Sequence, residues 1–369
     1  MSADYLVVGC GLSGAVMARF MAEERHKKVM IVDKRDHIGG NCYDYIDENG
    51  IRINKYGVHL FHTNSERVWQ YVNRFSSWTR WEHKVLGVID GQYIPLPPNI
   101  TTINMLCGQH LTNQQEADDW LSRNQLKHEH IDNGYQMATS RVGETLYEKI
   151  FKHYTFKQWG RYPEELDASV LARIPVRNNF DDRYFSDKYQ ALPTDGYTKI
   201  FENILDHENI TVRLSCDYFD IDPSAISNST IIYSGPIDDF FTNVGYPKLE
   251  YRSVNFEIQR LKNTKFFQPC AHVNHPGPET PFTRTIEYKH LLNQDSPHTT
   301  IISETTCSDG DPYYPVPNKR NMELYEQYKA LAEKERHIHF VGRLASYKYF
   351  NMDQSILNAL EYCDSNFSI

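Results

Sequence analysis

No apolar run in the chain approaches the roughly 18 residues of a membrane-spanning helix, and Met1-Ser2-Ala3-Asp4 leads straight into a short apolar segment without a secretory leader. A cytoplasmic protein is expected, with no membrane partner. Cysteine is sparse and unpatterned: seven residues, an odd number, run from Cys10 to Cys363 without a Cys-x-x-Cys pair. A complete disulfide framework is therefore excluded, no zinc-ligand spacing exists, and buried reduced thiols with no metal site are expected. Positive charge is also short, 39 Lys and Arg against 48 Asp and Glu for a net charge of -9. Binding along a nucleic-acid phosphate backbone is not expected, although a local pair of arginines can still govern a small anionic site. Internal repeats and low-complexity tracts are absent. Aromatic residues, by contrast, make up 13% of the chain, with 25 tyrosines. Tyrosine brings a stacking face and a hydroxyl that can reach phosphate. At 369 residues the chain exceeds what one core usually serves, so two or three domains are expected.

The first forty residues carry the strongest local signal. Tyr5-Leu6-Val7-Val8 reads as a buried parallel strand and ends in Gly9-Cys-Gly11-Leu12-Ser13-Gly14. Gly9 suits the tight turn, Gly11 lets backbone approach a pyrophosphate, and Gly14 lets the next helix pack on the strand. A helix from Ser13 to about Glu24 would aim its N-terminal amides at the phosphates and turn Ala15, Ala18 and Met21 toward the sheet. The second strand, Val29-Met30-Ile31-Val32, ends at Asp33-Lys34, where a carboxylate can accept both ribose hydroxyls and disfavours a 2′-phosphate. Gly39-Gly40-Asn41 resembles the extension found in flavoproteins, which favours FAD over NAD.

Pattern changes divide the remainder. The reading is an α/β protein: a discontinuous Rossmann-like dinucleotide domain (1–75, about 191–245 and 336–369), an inserted helical domain (76–165), a mobile loop (166–177), and an antiparallel-sheet substrate domain (178–190 with about 246–335). Gln114 to Gln125 and Arg141 to Lys152 read as amphipathic helices, Thr230 to Tyr233 and His337 to Val341 as strands of the dinucleotide domain. Arg252 to Leu261, Thr283 to Tyr288 and Thr299 to Thr305 carry strand patterns, and Met322 to Glu335 and Asp353 to Phe367 read as helices.

Six segments, in order, carry a family resemblance: Gly57-Val-His59-Leu60-Phe-His62-Thr-Asn, Tyr154-Thr155-Phe-Lys-Gln-Trp159-Gly, Ala172-Arg173-Ile-Pro-Val-Arg, Arg284-Thr-Ile-Glu-Tyr-Lys-His, Pro312-Tyr-Tyr314-Pro, and Gly342-Arg343-Leu-Ala-Ser-Tyr-Lys-Tyr349. Together they resemble UDP-galactopyranose mutase over nearly the whole chain. The resemblance implies an isomerase that contracts the galactopyranose ring of UDP-galactose to the furanose with no net redox change. Its nucleophile would be N5 of reduced FAD, which takes C1 of the sugar as a covalent adduct while UDP leaves, and the opened sugar passes through an iminium.

The resemblance also assigns residues. Arg173 and Arg284 would bind the diphosphate, with Tyr184, Tyr314 and Tyr349 donating hydroxyl hydrogen bonds to it. Phe151, Tyr154 and Trp159 would form the uridine pocket, Thr155 belongs to the same substrate-binding set, and Asn274 would contact the nucleotide. Catalytic weight falls on Arg173, Arg284 and His62. The flavin set comprises Gly9, Gly11, Leu12, Ser13, Gly14, Asp33, Lys34, Gly40, Asn41, His59, Leu60, Gly342, Arg343, Tyr349, Asn351, Met352 and Asp353. Two positions depart from the family pattern: Asn351 stands where Asp is usual, and His83, in the substrate set, where Asn is frequent. A relative acting on the N-acetylated sugar carries Arg in place of His59, which favours plain galactose here. Arg173 lies in the 166–177 loop, which would act as a lid excluding water. A homodimer is the default taken from bacterial relatives. Two other readings stay open on sequence: an FAD-dependent amine oxidase or desaturase, which shares the nucleotide-domain layout, and a catalytically silent nucleotide-sugar binding protein.

Overall fold

The computed structural model of the chain describes residues 3–367; the first two residues and the last two, with the domain limits set there, lie outside the described residues. A five-stranded parallel sheet is assembled from distant stretches, in the order Ile210–Arg213, Val29–Val32, Tyr5–Val8, Thr230–Tyr233, Ile338–Phe340. Its central strands are apolar runs buried on both faces, as a covered parallel sheet requires. The helix Leu12–Glu23 packs on this sheet with Ala15, Ala18 and Met21 fully buried. Gly14 makes that approach possible, because a Cβ there would sit 1.9 Å from the carbonyl oxygen of Gly9. The closing helix Met352–Phe367 lies against Leu12–Glu23 and adds Ile356, Ala359, Leu360 and Cys363 to the same core. A buried isoleucine or leucine in this core contributes about 1.5–3 kcal/mol, and an alanine methyl less.

A seven-stranded sheet forms the second layer, ordered Tyr314–Pro315, Tyr251–Leu261, Thr299–Cys307, Arg284–Glu287, His272–Asn274, Val85–Ile89, Gln92–Leu96. It is antiparallel except where His272–Asn274 runs parallel to Val85–Ile89. The stretch after Ser76 was expected to be helical, yet it holds the strands Trp78–Arg80, Val85–Ile89 and Gln92–Leu96. Asp90 and Gly91 join the last two with positive φ angles of 51° and 73°, the Asp-Gly pairing that a two-residue hairpin turn demands.

Helices follow from Ile100–Cys107 onward: Gln114–Asn124, Gly134–Leu146, a π-helical stretch Tyr147–Lys152, and His153–Trp159. The expected helix from Arg141 is thus the end of a longer one, interrupted at Gly143 (φ 75°, ψ 176°) and continued with π geometry. The late helix begins at Lys319, three residues before the expected Met322, because the Asn318 side chain caps it by accepting from the Asn321 amide. A small antiparallel sheet of Phe61–Thr63, Tyr189–Pro193 and Trp78–Arg80 carries His62.

Candidate active site

A cavity of about 1230 Å³ opens at the carboxyl ends of the parallel strands and extends to the seven-stranded sheet and the π-helical turn. Open α/β sheets bind ligands at that edge. Gly9, Gly11, Leu12, Ser13, Asp33, Lys34, Gly40 and Asn41 line its first end. Gly11 and Gly40 lie back to back there, and a Cβ on Gly40 would fall 2.8 Å from Gly11 Cα. Asp33 is oriented by backbone, its two carboxylate oxygens accepting from the amides of Cys10 (2.7 Å) and Arg35 (2.9 Å). Its remaining lone pairs suit ribose hydroxyls. Gly14, Gly342 and Asp353 do not line the cavity. Gly14 and Gly342 act in packing instead: a Cβ on Gly342 (φ 102°) would meet the Ser13 hydroxyl at 2.7 Å.

The middle of the cavity holds His59, Leu60, His62, Arg343, Asn351 and Met352. His59 donates from Nδ1 to the Gly57 carbonyl at 2.7 Å, and burial brings its imidazole down to about 4, so the ring is neutral. His62 is stacked on Phe185 at 3.7 Å, and its Nδ1 donates to Asp187 at 3.0 Å, which fixes the orientation of the ring.

At the far end the π-helical turn and the helix after it present Phe151, Tyr154, Thr155 and Trp159 together on one wall. Arg173, Tyr184, Arg284, Tyr314 and Tyr349 complete it. Tyr314 and Tyr349 stack at 5.4 Å, Arg173 lies over the Tyr349 ring at 4.5 Å, and Arg343 lies over both rings at 4.8 and 4.7 Å. Arg284 donates from Nε to Glu304 at 2.7 Å, and Arg173 from Nε to the Val170 carbonyl at 3.3 Å. Among the described residues Glu304 is the one carboxylate paired with any of these three arginines, and Nε and Nη2 of Arg343 are buried without a partner. Burial would raise the Tyr349 phenol, but Arg173, Arg343 and Arg284 outweigh it and bring it down to about 8. Tyr349 keeps 38% of its surface accessible and lines the cavity, so its access is to that space. Arg284 and Arg343 are half-buried and Arg173 is exposed, and three guanidinium groups gathered about one tyrosine pair leave a strongly positive site. The arrangement suits a ligand with two adjacent anionic groups.

Of the sequence-derived substrate set, Asn274 alone stands behind the wall rather than in it: it is buried and accepts from the Tyr154 hydroxyl at 3.4 Å. Phe185, Asp187, His272 and Glu304 line the cavity but went unnamed in the sequence. Glu304 stands directly opposite Arg284 across adjacent strands, a register that the sequence alone does not display.

A family profile described as UDP-galactopyranose mutase matches residues 149–349, the stretch that builds the arginine and aromatic walls. A Klebsiella pneumoniae protein named "Probable UDP-galactopyranose mutase" is 37% identical over 98% of this chain and 94% of its own length. The chain belongs to the UDP-galactopyranose mutase family. An Escherichia coli relative, named dTDP-fucopyranose mutase, is 36% identical over 96% of each chain. The chain shares its fold with a crystal structure of reduced UDP-galactopyranose mutase at a TM-score of 0.78 and 20% identity, covering 98% of this chain and 95% of that one. Residues 7–75 match an NAD(P)-binding Rossmann-like domain, in line with the glycine edge and Asp33. As in the family, the chain is an isomerase on a mixed α/β fold with a Rossmann-like domain and an antiparallel sheet. Among the described residues no helix is long and apolar enough to cross a membrane.

Proposed function

We propose that the protein converts UDP-galactopyranose into UDP-galactofuranose, with reduced FAD along the glycine edge and the diphosphate on Arg173 and Arg284. The observation that carries this reading is the arginine cluster about Tyr314 and Tyr349, set between a dinucleotide cradle and an aromatic wall. The unpartnered buried atoms of Arg343 and the backbone-held Asp33 fit the pyrophosphate and ribose of FAD. When bound, reduced FAD supplies through N5 the nucleophile that holds the sugar's anomeric carbon, with no net redox change.

The chain's own residues then orient and stabilise. Arg173 and Arg284 offset the charge that develops on departing UDP, in a cavity where such interactions are stronger than in water. Tyr154, Phe151 and Trp159 give the uracil ring a stacking surface. Neutral His59 and Asp187-oriented His62 border the sugar, and segment 166–177 closes as a lid that carries Arg173 onto the phosphates. The protein works as a cytoplasmic homodimer on this reading.

The test is direct: the flavin-loaded protein, reduced with dithionite, is incubated with UDP-galactose and furanose formation is followed by chromatography. Absence of furanose under reducing conditions overturns the proposal. The near-equal identity to a dTDP-fucopyranose mutase supports a second reading, so dTDP-fucopyranose belongs in the same assay. Faster turnover of that substrate would reassign the specificity.

A further inference from the structure

A row of hydrogen bonds runs through the wall beside Arg284. Trp81 Nε1 lies 3.2 Å from His83 Nδ1, His83 Nε2 lies 3.1 Å from His272 Nδ1, and His272 Nε2 lies 2.9 Å from Asn274 Oδ1. The Tyr154 hydroxyl donates to the same amide oxygen at 3.4 Å. His83, His272 and Asn274 are 1%, 4% and 7% exposed. His272 and Asn274 are two residues apart on one strand, hence on one face, while His83 enters from the loop before Val85–Ile89, the parallel neighbour of that strand.

The direction of the row follows from chemistry. An indole N–H can only donate. His83 Nδ1 must therefore accept, so its Nε2 carries the proton and donates to His272 Nδ1. His272 Nε2 in turn carries a proton and donates to Asn274. Every ring nitrogen of both histidines is consumed within the protein, although both rings line the cavity. Protonating either ring would set two N–H donors against each other. The charged and titratable groups around the pair include Arg284, Tyr154, Tyr184 and Cys270, whose thiol donates to the His272 carbonyl; burial and Arg284 bring His83 down to about 3, and burial, His83 and Arg284 hold His272 well below the usual histidine range.

We propose that Trp81 and His272 are positioning residues of the nucleotide-sugar site. Through one fixed proton order they hold His83 as a neutral wall that offers the ligand ring carbons and no hydrogen bond, and they hold Asn274 and the ring of Tyr154 in place. A histidine here thus does not substitute for an amide as a polar ligand. The inference rests on the functional reading above for the nature of the ligand, and on the hydrogen-bond row alone for the proton order.

The test uses the flavin-loaded protein labelled with ¹⁵N-histidine. Two rings should show bare Nδ1 and protonated Nε2, unchanged from pH 8 to pH 5, whereas an ordinary histidine titrates near about 6.5. Trp81→Phe removes the indole donor at the head of the row without touching the cavity wall. It should mix the two tautomers of His83 and weaken UDP binding, read by calorimetry, about 3- to 10-fold, the size of one neutral hydrogen bond. His272→Leu should weaken it at least as much, and His272→Gln, which can still accept and donate, should restore most of the loss. Ordinary titration of both rings in the unmodified protein overturns the proposal, and so do unchanged UDP affinities in Trp81→Phe and His272→Leu. Fixed tautomers in a protein that binds no UDP would leave the proton order standing and refute both the positioning role and the functional reading.

Discussion

Arg284 and Glu304 face each other across adjacent strands, with Nε 2.7 Å from Oε2 and Glu304 itself only 3% exposed at its side chain. The buried carboxylate is the counter-charge that lets the half-buried Arg284 stand ready beside two other arginines before any ligand arrives. Removing one partner of a fully buried pair costs about 3–5 kcal/mol, and the cost here is a fraction of that because the Arg284 charge left behind is half-buried at the cavity wall. Glu304→Leu should therefore lower the melting temperature of the ligand-free protein. UDP should recover more stability in this variant than in the parent, since the diphosphate supplies the missing negative charge. A thermal-shift titration with UDP checks both points, and equal UDP-induced shifts in the two proteins would contradict the assignment.

Arg173 differs from Arg284 in having no carboxylate partner among the described residues; a backbone carbonyl and the face of Tyr349 hold it. Its loss should spare the fold and the flavin. Each hydrogen bond to a charged group is worth about 1.5–3 kcal/mol, so Arg173→Ala should cut kcat/KM by about 10- to 150-fold per lost phosphate contact. Flavin absorbance of the purified variant should match the parent. Arg173→Lys should recover only part of the rate, because a point charge replaces a planar fork. Wild-type turnover in Arg173→Ala would remove both the phosphate contact and the lid.

The dinucleotide end was legible in the chain because its constraints are local. Gly9, Gly11, Gly14 and Asp33 fall within one strand-turn-helix-strand unit, and sequence spacing there sets spatial spacing. The far end was not local. Tyr154 and Arg284 are brought together by a π-helical turn and a sheet register, neither of which has a period that a single sequence displays. The hairpin about Asp90-Gly91 was missed for a different reason: its Asp-Gly signal was present, but helical patterns downstream outweighed a short alternating run. His272 could not have been read as part of a hydrogen-bonded row, since its partners lie near residues 81–83 and 154.

Tyr349 gives a pH dependence with a definite sign. Its phenol lies at about 8 in the folded protein, below the ordinary value, so the folded site favours the phenolate. The stability this contributes to the ligand-free protein is fully present above the unfolded phenol value of about 10 and is lost as pH falls through 8. A phenolate among the arginines also competes with an anionic ligand. UDP affinity should accordingly fall as pH rises through about 8, and Tyr349→Phe should flatten that limb while leaving the lower-pH limb alone. Calorimetric titrations between pH 6.5 and pH 9 decide it.

Lys157 ties the aromatic wall to the sheet. Its ammonium group donates to the carbonyls of His275, Gly277, Thr280 and Phe282 at 2.5, 2.7, 3.2 and 3.0 Å, closing the loop between His272–Asn274 and Arg284–Glu287 onto the helix that carries Tyr154, Thr155 and Trp159. Three N–H bonds shared among four acceptors leave no substitute in an apolar side chain of similar length. Lys157→Met should destabilise the protein by about 1–3 kcal/mol, the cost of one stranded polar group, because the four carbonyls are only half-buried and water can reach part of what is lost. Because the loop lies between Asn274 and Arg284 in the chain, the variant should also loosen both anchors and raise KM for the nucleotide sugar, with flavin content unchanged. Denaturant unfolding together with steady-state kinetics tests the two effects separately, and a loss of flavin instead of substrate affinity would show that the staple serves the other end of the cavity.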